Sequence, residues 1–291
     1  MSKHAVLSMD IEDWYHLYYF QGKADTNYSM IDGFENYVEL LNKYEIKTTF
    51  FVLSELKDKI SEQLKYAVSC GHEIACHGKR HIRPLDLSIG DFEKELTEAK
   101  DELEKIVKTE VSGYRAPCYG INNEHYAIIE KVGFKYSSSM MNIKAHPLYG
   151  NLNLDEFSQC SDCVYAKGDI VEFPLSTKKF LTKNITVSGG GWIRLLPWKC
   201  FMKPLIQAYL KESNDYYLYI HPFELSEKQM PRVDGTGFLT NIRARKGLHK
   251  VENKIEQLIL ELKNNNFEFV RFIDCYNELC AEKSSQNAVN K

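Results

Sequence analysis

At 291 residues the chain has the length of about two domains at the usual ~150 residues each, yet α/β barrels of ~250 residues run as one. Apolar residues at 44% and charged residues at 26% exclude a disordered, collagen-like or coiled-coil chain and leave side chains for one large core. Thirty-seven Lys and Arg against 40 Asp and Glu, a net −3, exclude a chain-wide basic field, and no nucleic acid is expected as partner.

The chain opens Met1-Ser2-Lys3-His4 and passes straight into Ala5-Val6-Leu7-Ser8-Met9-Asp10, without the apolar stretch of a secretory signal. No uncharged apolar run approaches the ~20 residues that span a bilayer. The expectation is therefore a cytoplasmic protein with no membrane span. Residues 5–10 form a short apolar run ending in carboxylates, which suits a buried parallel strand. Residues 33–44 carry apolar side chains at helical spacing, and Lys47–Val52 is β-branched and aromatic, which completes one β–α–β unit. The pattern repeats. A helix over about 54–69 stops at Gly71 and leads to a strand ending at Cys76. A charged helix from Ser88 or Asp91 to Lys108 leads to Val111–Tyr114, and a helix over 123–131 leads to Phe134–Ser137. Such alternation predicts a parallel sheet with helical cover, a barrel or an open sheet.

In the second half, residues 169–174 and 216–221 read as strands. Ser188-Gly189-Gly190-Gly191-Trp192 lacks the Lys-Ser/Thr of a phosphate loop and reads as a tight turn near a pocket. A helix over about 246–263 precedes Glu268–Phe272, and 281–291 is expected to be a disordered polar tail. With no repeat and no linker, the chain reads as one domain. Eight cysteines are too few for a disulfide scaffold, and the Cys160-x-x-Cys163 pair has no second pair nearby to complete a zinc knuckle.

Titratable groups end three predicted strands: Asp10, Glu12 and Asp13; His77 and His81; and His221. In parallel α/β folds the C-terminal strand ends converge on one face, so these groups can meet. His77 and His81, four apart, point the same way if their loop winds into a helical turn, as ligation of a divalent metal by two histidines requires. Asp10 and Glu12, two apart on a strand, share a face, while Asp13 lies just past it. Two histidines and a carboxylate also match non-haem iron oxygenases, but the β–α alternation disfavours their all-β barrels. Trp14, Tyr15 and Trp192 read equally as core aromatics or as sugar-stacking platforms.

The order and spacing of Ser8-Met9-Asp10-Ile11-Glu12-Asp13, Gly71 to His81, Gly113-Tyr114-Arg115-Ala116-Pro117 and Tyr219-Ile220-His221-Pro222 resemble the motifs of the polysaccharide deacetylases, carbohydrate esterase family 4 with its NodB-homology domain. Asp169–Pro174, Gly189–Pro197 and His221–Glu224 are similar to the branch found with bacterial exopolysaccharide and surface-glycan clusters. The resemblance covers residues 4–275 and implies an α/β fold, a distorted (β/α)7 barrel. It implies removal of an N-acetyl group from an amino sugar, and the expected cytoplasmic location makes a nucleotide-linked or lipid-linked sugar the expected substrate. Deformylation, hydrolysis of a non-sugar amide, and an inert glycan-binding relative stand as alternatives.

The resemblance implies Asp10 as catalytic base, Arg115 as its partner and His221 as general acid. His77, His81 and a carboxylate, Glu12 in preference to Asp13, would hold a divalent metal, Zn2+ first and Co2+, Ni2+ or Mn2+ after it. Cys118 takes the place whose backbone N–H helps bind the oxyanion. The family's fourth motif, which tunes the acid histidine, has no recognisable counterpart. Residues 192–211, with Trp192, Trp198, Arg194, Lys199, Lys203 and Lys211, read as a core-packing helix or, second, as a segment for peripheral membrane contact.

Overall fold

The computed structural model describes residues 2–143, 146–161 and 163–289. In chain order its strands are β1 (His4–Ile11), β2 (Thr49–Val52), β3 (Glu73–Cys76), β4 (Gly113–Tyr114), β5 (Tyr136–Ser137), β6 (Ser158–Ser161), β7 (Val164–Lys167), β8 (Ile170–Glu172), β9 (Thr177–Phe180), β10 (Lys183–Thr186), β11 (Asp215–Ile220) and β12 (Glu268–Phe269). The order β11-β1-β2-β3-β4-β5-β8 is parallel throughout, and these strands form the distorted seven-stranded barrel. β8 and β11 do not pair with each other. The residues around Ser176 and Ser188 fill the gap: Ser176 N–H donates to the Tyr217 carbonyl at 3.3 Å, and Tyr219 N–H donates to the Ser188 carbonyl at 2.9 Å.

The helices are α1 (Gly33–Lys43), α2 (Ser61–Ser69), α3 (Ile89–Val107), α4 (Asn123–Lys131), α5 (Gly190–Leu195), α6 (Lys203–Leu210), α7 (Phe238–Arg245), α8 (Val251–Asn264) and α9 (Phe272–Val289). In α3, Phe92, Leu96, Ala99, Leu103 and Val107 fall on one buried stripe, and the Ser88 hydroxyl oxygen accepts from Asp91 N–H to cap the first turn. Strand β1 shows why the sheet can be a barrel. Ala5, Leu7 and Met9 pack outward among residues of α1 and α8, whereas Val6 packs inward and Ser8 and Asp10 make their bonds inside.

The lower end of the barrel, at the strand N-termini, is plugged by the start of α9. The Phe272 ring lies 5.1–5.9 Å from those of Phe51, Tyr136, Phe173 and Tyr217. Phe272 N–H donates to Thr49 Oγ1 at 2.9 Å and Ile273 N–H to Glu73 Oε2 at 3.1 Å. Thr49 and Tyr136 hydroxyls donate to the same carboxyl at 2.6 and 2.7 Å. Burial nonetheless pushes Glu73 up to about 7, because the groups that oppose it are mostly neutral dipoles.

Two expectations about local structure need correction. The glycine run is no tight turn, since it opens α5. The expected disordered tail is helical as far as Val289, with Ser284 and Ser285 hydroxyls donating to the Cys280 and Ala281 carbonyls; Ala281, Glu282 and Lys283 favour helix and no Gly or Pro stops it. Residues 281–285 are exposed, and 290–291 lie outside the described residues.

Candidate active site

The C-terminal ends of β1, β3, β4 and β11 deliver Asp10 and Glu12, His77, Arg115 and His221 to one end of the barrel. There Asp10, Glu12, His77 and His221 border a cavity of about 450 Å³, whose walls include Tyr18, Tyr19, Tyr149, Trp192, Leu195 and Leu196, while Arg115 lies behind Asp10. Glu12, His77 and His81 each offer a ligand atom within 4.8 Å of the others, the one such group among the described residues. The loop after β3 achieves this without a helical turn. Gly78, at φ 92°, bends the chain, and Ser54 N–H, Glu55 N–H and the Glu95 carboxylate hold Gly78, Lys79 and Arg80 in place. Gln21 Nε2 donates to the His81 carbonyl at 3.0 Å.

The protonation of this group suits a cation. His77 Nδ1 lies 2.8 Å from the Arg115 carbonyl, which can only accept, so Nε2 carries the free lone pair. Burial, the largest influence on His77, pushes it down to about 4 and keeps it neutral. His81 Nε2 sits 2.7 Å from Glu12 Oε2, yet that oxygen is buried without a hydrogen-bond partner, so the two atoms approach without the alignment of a hydrogen bond. Burial alone would raise the Glu12 carboxyl; His81, then His221 and His77, outweigh it and hold Glu12 well below the usual carboxylate range. Asp13 is committed elsewhere. Its oxygens accept from Trp14 N–H, Met30 N–H and the Ser29 hydroxyl, fixing the loop that follows β1.

Arg115 is fully buried, and the barrel satisfies it from several sides. Nη1 donates to Asp10 Oδ1 at 2.6 Å and to Ser8 Oγ at 2.9 Å; Nε and Nη2 donate to the Ser138 carbonyl and hydroxyl at 3.0 and 2.8 Å. Its guanidinium lies 3.9 Å over the Phe51 ring. The pair fixes Asp10 in direction, with Oδ1 against the buried guanidinium.

His221 is partly buried at the end of β11. Its backbone N–H donates to Glu224 Oε2 at 3.2 Å, its Nδ1 lies 3.4 Å from the same oxygen, and its Nε2 lies 3.5 Å from Glu12 Oε1. The ring stacks on Phe223 at 5.1 Å. Burial pulls the imidazole down, but Glu224, then Glu12 and Asp10, push it up to about 9. Glu224 Oε1 in turn meets Arg194 Nε at 3.3 Å, and Arg194 Nη1 donates to the carbonyls of Arg243, Ala244 and Lys246.

Cys118 lines the cavity, with burial pushing its thiol up to about 12, so it is no thiolate nucleophile. Cys118 and Tyr119 sit at φ 53° and 55°, a left-handed pair of non-glycine residues against the site. The aromatics divide. Trp14 is core, donating through Nε1 to the Tyr28 carbonyl, and Tyr15 is buried, whereas Trp192 stands 39% exposed on the cavity wall. In residues 192–211, Arg194, Trp198, Met202, Ile206 and Leu210 are buried and Lys203 pairs with Glu261, while Trp192, Lys199, Phe201 and Lys211 are exposed. No helix among the described residues is long and apolar enough to cross a membrane. Cys163 Sγ lies 3.6 Å from the Tyr209 and Ser213 hydroxyls, and there is no disulfide among the described residues. The reading of the sequence gave no role to Glu224 and left Arg194 between a core-packing helix and an interfacial segment. The signal available was the recurrence of charged residues just after Gly-Gly-Gly and just after His-Pro.

Residues 25–137 match the family described as "Polysaccharide deacetylase", and residues 138–277 match a "Domain of unknown function (DUF3473)". A peptidoglycan deacetylase of Helicobacter pylori is 28% identical over 202 residues, 69% of this chain and 65% of that protein. An uncharacterized 30.6 kDa protein of Geobacillus stearothermophilus is 27% identical over 110 residues, 36% of this chain and 42% of that protein, so the matches span less than two thirds of both relatives. Among solved structures, a Mycobacterium smegmatis protein assigned as a polysaccharide deacetylase superposes with a TM-score of 0.64 at 18% identity, over 97% of this chain and 92% of that one. A family 4 acetyl xylan esterase of Clostridium thermocellum, solved with a cobalt ion, gives 0.51 at 13% identity over 96% and 92%. A family 4 pseudoenzyme of Bacillus anthracis gives 0.53 at 11% over 94% and 66%. These structures share the fold.

Proposed function

We propose that this chain, which residues 25–137 place in the polysaccharide deacetylase family, is a metal-dependent hydrolase that removes an N-acetyl group from an amino sugar. The observation that carries the reading is the set Glu12, His77 and His81 beside the buried Asp10–Arg115 pair in a single cavity. The ligand set fits a divalent cation: two neutral-capable imidazoles, one ionised carboxylate, and a buried oxygen with no other partner. Nitrogen and oxygen donors of this kind suit Zn2+, with Co2+, Ni2+ and Mn2+ also compatible. Such a metal, when bound, polarises the acyl oxygen and acidifies the attacking water.

The chain's own groups do the rest. Asp10, aimed by Arg115, takes a proton from the water as the water oxygen bonds to the acyl carbon. The backbone N–H of Cys118, on the cavity wall, donates to the oxygen that becomes negative. As the C–N bond breaks, the nitrogen keeps the electron pair and takes a proton from His221 Nε2. Acetic acid, which releases its proton to solvent as acetate, and a free amine result, and the proton on Asp10 returns to His221 through solvent.

The aromatic walls suit stacked sugar rings. The Helicobacter relative supports peptidoglycan as the acceptor class. The similarity to the exopolysaccharide branch supports a nucleotide-linked or lipid-linked intermediate of surface-glycan assembly as the alternative. Chelator-stripped protein, reloaded with Zn2+, should release acetate from N-acetylglucosamine oligomers, from peptidoglycan or from a nucleotide-diphosphate N-acetylhexosamine. Equal behaviour of stripped and reloaded protein on every amide would refute the reading, and formate release from N-formyl analogues alone would redirect it to deformylation.

A further inference from the structure

Glu224 lies in the turn Pro222–Glu224 that follows His221, and its two oxygens face different partners. Oε2 faces the His221 backbone N–H and Nδ1, and Oε1 faces Arg194 Nε. Arg194 is 7% exposed, and three backbone carbonyls at 2.6–3.0 Å lock its Nη1. The glycine run makes the space. A Cβ built on Gly190 would stand 1.9 Å from Glu224 Oε2, and one on Gly33 would stand 1.8 Å from the Pro222 carbonyl oxygen. No other residue fits at Gly190 unless the carboxylate moves. The segments Gly189–Arg194 and His221–Glu224 are thus one unit, which explains two stretches of sequence that are otherwise unrelated.

We propose that Glu224, held by Arg194 and given room by Gly190, is the positioning residue that orients His221 toward the departing nitrogen. This rests on the reading of His221 as general acid. With Nδ1–H donated to Glu224, the transferable proton lies on Nε2, the nitrogen that faces Glu12 and the cavity. The 3.4 Å separation is long, as hydrogen bonds of acid–base groups often are before substrate closes the site. In the step it serves, the C–N bond breaks and the nitrogen takes the Nε2 proton. The resulting neutral imidazole keeps its Nδ1–H on Glu224. The family's usual device is a separate Asp and Trp motif; here a carboxylate three residues after the histidine does that work.

The test compares an amide with an activated ester, because a nitrophenolate leaves without needing a proton. In zinc-loaded Glu224→Gln, kcat on an N-acetylglucosamine oligomer should fall by about 100-fold or more, the scale of a lost general acid. On 4-nitrophenyl acetate it should stay within about threefold, with KM and bound zinc as in the parent. His221→Ala should show the same selectivity. Equal loss on ester and amide, or an unchanged amide rate, in Glu224→Gln overturns the positioning role while leaving His221→Ala to judge the acid. If His221→Ala itself keeps full amide turnover, both the acid assignment and the positioning role fall. Should circular dichroism show Glu224→Gln unfolded, Gly190→Ala carries the test, since it displaces Oε2 and keeps the charge. Amide-selective loss then supports the role, and equal loss or none overturns it.

Discussion

Buried glutamates stand at both ends of this barrel, and they are opposite in kind. At the upper end Glu12 is surrounded by three imidazoles and is held ionised. At the lower end Glu73 accepts from the Thr49 and Tyr136 hydroxyls and from the Ile273 N–H of α9, and burial pushes it up to about 7. Both are buried, so partners decide which carboxyl is a charge and which is close to neutral. Under the proposed function, charge is kept where a metal would need a ligand, and hydroxyl dipoles suffice where the barrel only has to be closed.

The comparison breaks most sharply at the proposed ligands. His77→Ala and His81→Ala are expected to lose bound metal and at least about 1,000-fold in kcat, read by elemental analysis and acetate release. Asp10→Asn should lose turnover on a similar scale yet keep its metal, because it removes a base and no ligand. Glu12→Gln should lose metal where Asp13→Asn keeps it and loses stability, since Asp13 ties down the loop after β1. Metal retained in the double histidine variant would sink the site assignment.

The lower end gives a smaller, pH-dependent effect. The folded Glu73 binds its proton more tightly than the unfolded chain does, 4.5 rising to about 7. Its contribution to stability is therefore complete below pH 4.5, declines as pH rises through 7, and amounts to about 3 kcal/mol across that window. Urea unfolding of Glu73→Gln should lack this decline; a slope identical to the parent's would show that Glu73 does not titrate there. The smallest expected effect is at the rim. Trp192→Ala, removing a wall 39% exposed to solvent, should raise KM by roughly three- to tenfold with kcat little changed. An unchanged KM would remove Trp192 from sugar contact.

Periodicity made the repeated β–α units legible, and the ends of those strands located the site, because parallel strands leave their C-termini on one face. Helix α4 matches its predicted bounds of 123–131. The hairpins β6–β7 and β9–β10 were not legible, being short, polar and half exposed. The approach of His81 to His77 depends on a bend at Gly78 and on bonds from Ser54, Glu55 and Glu95, which the four-residue spacing does not encode. The link from Arg194 to Glu224 was hidden for a different reason. A buried arginine looks like a surface one until its acceptors, carbonyls of residues 243–246, are known.

The plug beneath the barrel sets a clock on synthesis. Phe272 N–H bonds to Thr49 Oγ1, 223 residues earlier in the chain, and its ring fills the space among Phe51, Tyr136, Phe173 and Tyr217. A ribosome adding ~5–20 residues per second needs roughly 10–45 s to travel from one to the other. During that time β2, β3 and the hydroxyls of the lower end wait without their cover. Nascent chains arrested just before Phe272 should therefore be cleaved within the first four β–α units by protease, and chains arrested far enough past it to clear the exit tunnel should resist; equal resistance would mean that the barrel closes without its plug.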